Sequence, residues 1–357
     1  MTDASSSESQ KKADSGLEEG GSSSPKKWWH YITPGRALAG ALAFVAALGG
    51  AGYGPFTDPG PLTKGRNIVI PRGGTEQVTR LLQKEGLLAE GWSSTWFFRL
   101  SALITAHQGG IHAAELYFPA RASVAHILQI LRHGHPVSHS LTIAEGLTAV
   151  RIRAELQNAP ALKGDVPAVE EGSVYPQTVF YLWGMERQAL LHKLQTLMAT
   201  SLERVWAQRD QNALQGIIKT PQQLLILASL IERETSIVEE RPRIARVFLN
   251  RLKNNMRLQT DPTVIYALSG GQGVLDHPLT HDDLETDSPY NTYEHTGLPP
   301  GAICSPGLAS LEAAAHPTAG DELYFVATGR GGHAFSKTLS GQAEHVRSYR
   351  RQQIQSP

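Results

Sequence analysis

Apolar residues recur along this chain in two rhythms, alternate positions over short runs and positions three and four apart over longer ones. NIVIPRGGTEQVTRLLQKEGLL predicts a short strand at Asn67–Ile70, a Gly-Gly turn, and a helix with Val78, Leu81 and Leu82 on one face. SSTWFFRLSALITA predicts a further helix. LYFPARASVAHILQILRHG repeats the plan, with Ser123 placed to cap a helix that carries Val124, Ile127, Leu128 and Leu131 at helical spacing, closed by Gly134. Residues 66–136 thus read as a small α+β module.

From Val137 the pattern predicts a strand in VSHSLTIAEG and a helix in LTAVRIRAELQ. A loop-to-strand passage follows at YPQTVFYL, then a long amphipathic helix from about Glu186 to Gln208. LLILASLIERETSIVEE, residues 224–240, predicts a helix that Pro242 interrupts, and RIARVFLNRLKNNM a second that packs through Ile244, Val247, Phe248 and Leu252. Beyond it the chain turns loop-rich, with RLQTDPTVIYAL and a long polar loop at 281–301. It ends in a helix, a hairpin around Gly329–Gly332 and a final polar helix. The fold class expected is α+β, with residues 137–357 as the larger domain.

On a helical wheel centred on Glu234, Leu227, Leu230, Ile231, Ile237 and Val238 share its side, while Glu232 and Glu239 fall opposite. Glu232 is therefore expected to face water and Glu234 to be buried. Burial holds a carboxyl protonated towards neutral pH, as a general acid requires. A buried structural glutamate paired with Arg241, one turn further on, fits the same pattern.

Composition changes the picture at the N-terminus. The first 35 residues are rich in Ser, Gly, Glu and Lys and read as a disordered cytoplasmic tail. Residues 36–56 carry an uncharged Ala- and Gly-rich run, long enough to span a bilayer core of roughly 30 Å. Trp28, Trp29 and Tyr31 suit an interfacial belt, and Lys26, Lys27 and Arg36 precede the run. The expectation is one transmembrane helix with a cytoplasmic N-terminus and the remainder exported, though the small residues also fit a cleaved signal peptide. Formal charge balances, which gives no ground for nucleic acid as a partner, and the single cysteine, Cys304, excludes an internal disulfide.

Phosphate-loop, H-E-x-x-H and G-x-S-x-G motifs are absent, and the one S-x-x-K, Ser24–Lys27, lies in the tail. No metal or cofactor is expected. Acid–base chemistry by carboxylates remains, with Asp261, Asp282, Asp283, Glu285 and Asp287 available as second acids and none singled out by pattern.

LASLIERET, RVFLNRL, MRLQTDPTVIYAL, SPYNTYEHTGLPPGAICSPG, AAAHP and LYFVATGRGGHAFS closely resemble the YceG-like (MltG) family of endolytic murein transglycosylases. The resemblance implies a membrane anchor, a LysM-like module at 66–136 and a catalytic domain at 137–357 outside the bacterial cytoplasmic membrane. It implies that Glu234 is the catalytic residue, cutting the β-1,4 bond between N-acetylmuramic acid and N-acetylglucosamine within peptidoglycan glycan strands. The muramic 6-hydroxyl attacks its own C1 and leaves a 1,6-anhydro end, so one acid suffices. Gln259, Asp261, Asn291, Tyr293 and His333 are expected to line the glycan site, and penicillin-binding synthases to be partners.

Asp261 could equally cap the helix after it, and His333 could be a packed hairpin residue. AAELYF at Ala113–Phe118 and Gln177 in YPQTVFY depart from the family's usual stretches. Two other readings stay open: a muramidase-type hydrolase using Asp261 as second carboxylate, and a non-catalytic glycan-binding scaffold.

Overall fold

In the computed structural model, residues 38, 39, 49–329 and 331–355 are described, and the chain divides into two units, Met1–Pro59 and Gly60–Pro357. In the first, residues 49–57 are helical. The expected tail at 1–35 and most of the expected span at 36–56 lie outside the described residues. Among the described residues no helix is long and apolar enough to cross a membrane.

The second unit is a mixed α and β structure, and every buried apolar side chain among the described residues belongs to it. Its first part runs β1 (Arg66–Val69), α1 (Thr75–Lys84), α2 (Trp92–Ile104), β2 (Glu115–Phe118) and α3 (Val124–His133). The two strands pair antiparallel, Ile68 opposite Leu116. This register turns Ile68, Leu116 and Phe118 inward, and all three are buried, as are Val78 and Leu82 of α1 and Phe98 of α2. Ser123 caps α3 as its position predicts, its hydroxyl accepting the His126 N–H at 3.2 Å.

Next come β3 (Ser138–Thr142), α4 (Ala149–Asn158), β4 (Thr178–Leu182), α5 (Arg187–Gln208) and α6 (Gln211–Leu214). β3 and β4 are antiparallel, and with α4 and α5 they enclose an apolar cluster that includes Leu141, Ile152, Val179, Tyr181 and Leu190. The chain continues through α7 (Pro221–Glu234), α8 (Arg241–Lys253), α9 (Asp261–Leu268), α10 (Leu308–Ala315), the antiparallel hairpin β5 (Tyr324–Ala327) and β6 (His333–Ser336), and α11 (Leu339–Gln355).

Helix α7 is the centre of the larger core. Thr220 caps it by accepting the Gln223 N–H, and Pro221 sits in its first turn, where the missing donor costs nothing. All eight residues from Leu224 to Ile231 are buried, because α5, α8, α9 and α10 pack around it. Each fully buried leucine or isoleucine there contributes about 1.5–3 kcal/mol by leaving water.

The structure corrects the sequence reading of this region at several points. The helix has no wet side. It stops at Glu234, where Thr235 turns extended (φ −143°, ψ 139°), so Ile237, Val238 and Arg241 do not continue its face. Pro242 interrupts nothing and instead lies in the first turn of α8. Glu232, expected in water, is 5% exposed, and its Oε1 accepts from Arg241 Nη2 at 3.1 Å. Its Oε2 accepts the Gly307 N–H at 2.9 Å, at the positive N-terminal end of α10. Arg241 therefore belongs to Glu232 and not to Glu234. RLQTDPTVIYAL, expected in a loop-rich region, contributes the helix α9.

Replacing Glu232 by alanine should leave the buried Arg241 guanidinium with only the half-exposed Glu145 carboxylate, 3.9 Å away, and cost up to about 3–5 kcal/mol. Equilibrium urea unfolding measures this. A loss below about 1 kcal/mol, the range of exposed pairs, would show that the pair is not what joins α7 to α8.

Candidate active site

Glu234 is the last residue of α7, and three other segments close on that helix end: the approach to α9, the loop around Asn291, and the hairpin β5–β6. Thr260 Oγ1 donates to Glu234 Oε2 at 2.7 Å. Thr260 stands at the N-cap position of α9 yet makes no capping bond with its side chain. A threonine placed there ordinarily serves its own helix, but this hydroxyl is committed to Glu234 instead. Asp261 is the first residue of α9, so the cap is not its role either.

The Asn291 loop holds Thr260 in place. Gln259 N–H donates to the Thr292 carbonyl at 3.0 Å and Thr260 N–H to Thr292 Oγ1 at 3.1 Å. Asn291 is fully buried, its amide nitrogen bonded to the carbonyls of Leu284 and Thr286 and its Oδ1 to the Tyr293 N–H. Its amide groups thus fold the loop from within. The Tyr293 hydroxyl donates to Asp261 Oδ1 at 2.5 Å. Gln259 is exposed and has a φ of +47°, in the left-handed region.

On the hairpin side, His333 is held twice by Glu240. Its N–H donates to Oε1 at 2.8 Å, and Nδ1 lies 2.7 Å from Oε2. A carboxylate only accepts, so Nδ1 carries the proton in this pair. Gly332 has φ +80°, and a Cβ on it would lie 2.6 Å from Glu240 Oε1, so glycine lets the hairpin come this close. Burial pushes the Glu240 carboxyl up, but the bonds from His333 outweigh it and hold the group below its ordinary value.

The Arg251 guanidinium is buried against the carbonyls of Leu323, Leu258 and Arg257. Burial lowers its pKa, while the nearby phenols of Tyr324 and Tyr293 and the carboxyl of Glu234 counter the fall.

These neighbours decide the state of Glu234. It keeps a partial opening to solvent, but its carboxyl is closely surrounded, and burial pushes its pKa up. The Thr260 bond opposes the rise, the Asp261 charge adds to it, and His333 and Arg251 restrain it. The arrangement offers one desolvated carboxyl that can release a proton and recover it, with cationic groups within electrostatic reach of the anion.

Of the residues expected at the site, Glu234, Asp261, Tyr293 and His333 converge here. Gln259 adjoins Thr260 in the chain, and Asn291 is buried within its loop. Sequence reasoning passed over Thr260, Arg251 and Glu240. Thr260 sits between two residues it did name, but an untitratable hydroxyl offers no signal. It also passed over Glu171, whose carboxylate accepts the Ala149 N–H at 2.9 and 3.1 Å and the Tyr266 hydroxyl at 3.2 Å. Burial raises Glu171 to about 7 against these bonds.

Compared with known proteins, residues 68–348 match a family described as YceG-like. A stretch of 116 residues, 32% of this chain, is 53% identical to the endolytic murein transglycosylase of Bacillus subtilis and covers 31% of that protein. An alignment of 326 residues, covering 79% of this chain, is 27% identical to the endolytic murein transglycosylase of Streptococcus pneumoniae and covers 57% of it. The chain thus spans less than two thirds of the length of these relatives. The crystal structure of a yceG-like protein from Listeria monocytogenes superposes with a TM-score of 0.50 at 26% identity, covering 79% of this chain and 98% of that one.

Two outcomes follow from the geometry. Thr260→Val removes the bond that opposes burial, so the Glu234 pKa should rise further, read from the carboxyl 13C shift on titration. A fall would mean that Thr260 does not stabilise the anion. Glu171 binds a proton more tightly folded than unfolded, so its contribution to stability is complete below about 4.5 and is lost as pH rises through about 7. Glu171→Gln should flatten the dependence of Tm on pH across that window, and an unchanged slope would assign it to another group.

Proposed function

The chain belongs to the YceG-like family, and on that footing we propose that it is a membrane-anchored lytic transglycosylase that cuts peptidoglycan within glycan strands. The observation that carries this reading is the carboxyl of Glu234, raised by burial and held by Thr260 at the end of a helix whose other acid is locked in an ion pair. In the proposed reaction Glu234 protonates the oxygen that leaves N-acetylmuramic acid. The sugar's own 6-hydroxyl then attacks C1 and yields its proton to the Glu234 carboxylate. One glycosidic bond breaks, one 1,6-anhydro bond forms, and no water is added. The desolvation that favours the protonated form of Glu234 would also keep bulk water from competing.

Asp261 and Tyr293, bonded to each other beside Glu234, are suited to receive sugar hydroxyls. Gln259 belongs to the same proposed lining. His333, held by Glu240, has Nε2 left for a substrate contact or for steadying the Glu234 anion. Asn291 would act through the loop it folds.

The remaining parts of the reading concern placement. Residues 36–56 would be a single span with the N-terminus in the cytoplasm, residues 66–136 a LysM-like module, and residues 137–357 the catalytic domain outside the cytoplasmic membrane. The strand–helix–helix–strand order of β1, α1, α2 and β2 supports the second of these. The anchor would keep the site near newly made strands and their penicillin-binding synthases. A hydrolase of the same bond draws on one specific observation, the closeness of the Asp261 charge to Glu234.

The test incubates Gly60–Pro357 and its Glu234→Gln variant with uncrosslinked glycan strands and weighs the products. Anhydro-ended fragments are expected, formed about 10²–10⁴-fold more slowly by the variant. The wild-type rate should fall on an alkaline limb above 4.5, the ordinary glutamate value, because the acid form starts the reaction. Products one water heavier would establish the hydrolase. Strands bound but uncut by either protein would leave only a scaffold.

A further inference from the structure

Helix α2 is apolar on two opposite sides. Phe98, Ser101 and Ala102 face the core. The opposite side carries Trp92, Trp96, Leu100, Leu103 and Ile104, and Trp92, Trp96 and Leu103 are 81%, 68% and 72% exposed. On a wheel, Trp92, Trp96, Leu100 and Leu103 fall within about 80° of one another, and Arg99 flanks them about 20° beyond Trp92. Five large apolar side chains in one stripe are not scattered surface residues. A contiguous patch of this kind marks a surface that something covers.

We propose that this stripe docks on the headgroup region of a lipid bilayer. Two observations favour a membrane over a protein. Tryptophan with leucine and isoleucine along one helix face is the composition that lies in a membrane interface, apolar side inward. The charge at the edge of the stripe is a cation, exposed Arg99. A two-fold pairing of copies across the stripe would bring two Arg99 side chains together, whereas anionic headgroups accept them. The neighbouring Glu76 is already bonded to Arg80 and does not cancel both cations.

The stripe can be tested apart from the span, because Gly60–Pro357 carries its own core. The probes are vesicles of phosphatidylcholine alone and of phosphatidylcholine mixed with phosphatidylglycerol. The fragment should sediment with the mixed vesicles, its tryptophan emission shifting to the blue and quenched by brominated acyl chains. Trp92→Ser with Trp96→Ser and Leu103→Ser should abolish this while circular dichroism stays unchanged, which these exposed positions permit. Arg99→Ala should weaken binding about fivefold, on the mixed vesicles only.

A fragment left in the supernatant with both vesicle types would overturn the proposal. So would concentration-dependent dimerisation removed by the triple substitution, which would give the stripe to a second copy. Full-length chain that alkaline carbonate releases from membranes would remove the span instead, a result separable from the vesicle assay.

Discussion

The burial of α7 on every side is the constraint from which the rest of the larger core follows. A helix ringed by four others has no solvent-facing edge where a charge can rest. Each polar group near its end must find a partner in the protein or lose its charge. Glu232 takes the first course, with Arg241 and the start of α10. Glu234, two residues on, is pushed towards the second, since burial raises its pKa and its hydrogen-bond partner is a neutral hydroxyl. The same helix therefore carries one carboxylate that binds elements together and one carboxyl that burial pushes towards its protonated form.

The surrounding elements divide the labour in the same way. The Asn291 loop is folded by a buried amide that reaches only backbone, and its product is the position of Thr260. The hairpin is drawn in by Glu240, which leaves a single ring nitrogen of His333 uncommitted. Arg251 is fixed by three carbonyls and acts at a distance through its charge. A side chain near Glu234 that is tied down elsewhere cannot swing in to neutralise it, and this keeps the carboxyl from becoming an ordinary ion pair.

Much of the fold was legible because it obeys local rules: Ser123 and the α3 cap, the hairpin at its glycines, the long helix after Glu186. The errors at α7 have two physical causes: the helix ends at Thr235, which a wheel cannot register, and its core lies on more than one side. A wheel assumes a core on one side and water on the other, and it mistook the location of Glu232 because this helix has a core on both. Burial does not separate the two glutamates; partner choice does, and partner choice depends on α10 and α9, which arrive some 30 to 70 residues later in the chain. Thr260, Glu240 and Glu171 were illegible for the same reason, since each acquires its meaning from a segment distant in sequence.

Gln259 has a backbone that suits glycine. A residue with a side chain held at φ +47° costs roughly 1–3 kcal/mol, and this side chain is exposed, so it returns little packing in exchange. Stability alone would favour a glycine in its place. A variant selected only for heat resistance would be drawn to discard the glutamine, and any gain in melting temperature from that change would measure the strain held in the backbone beside Thr260.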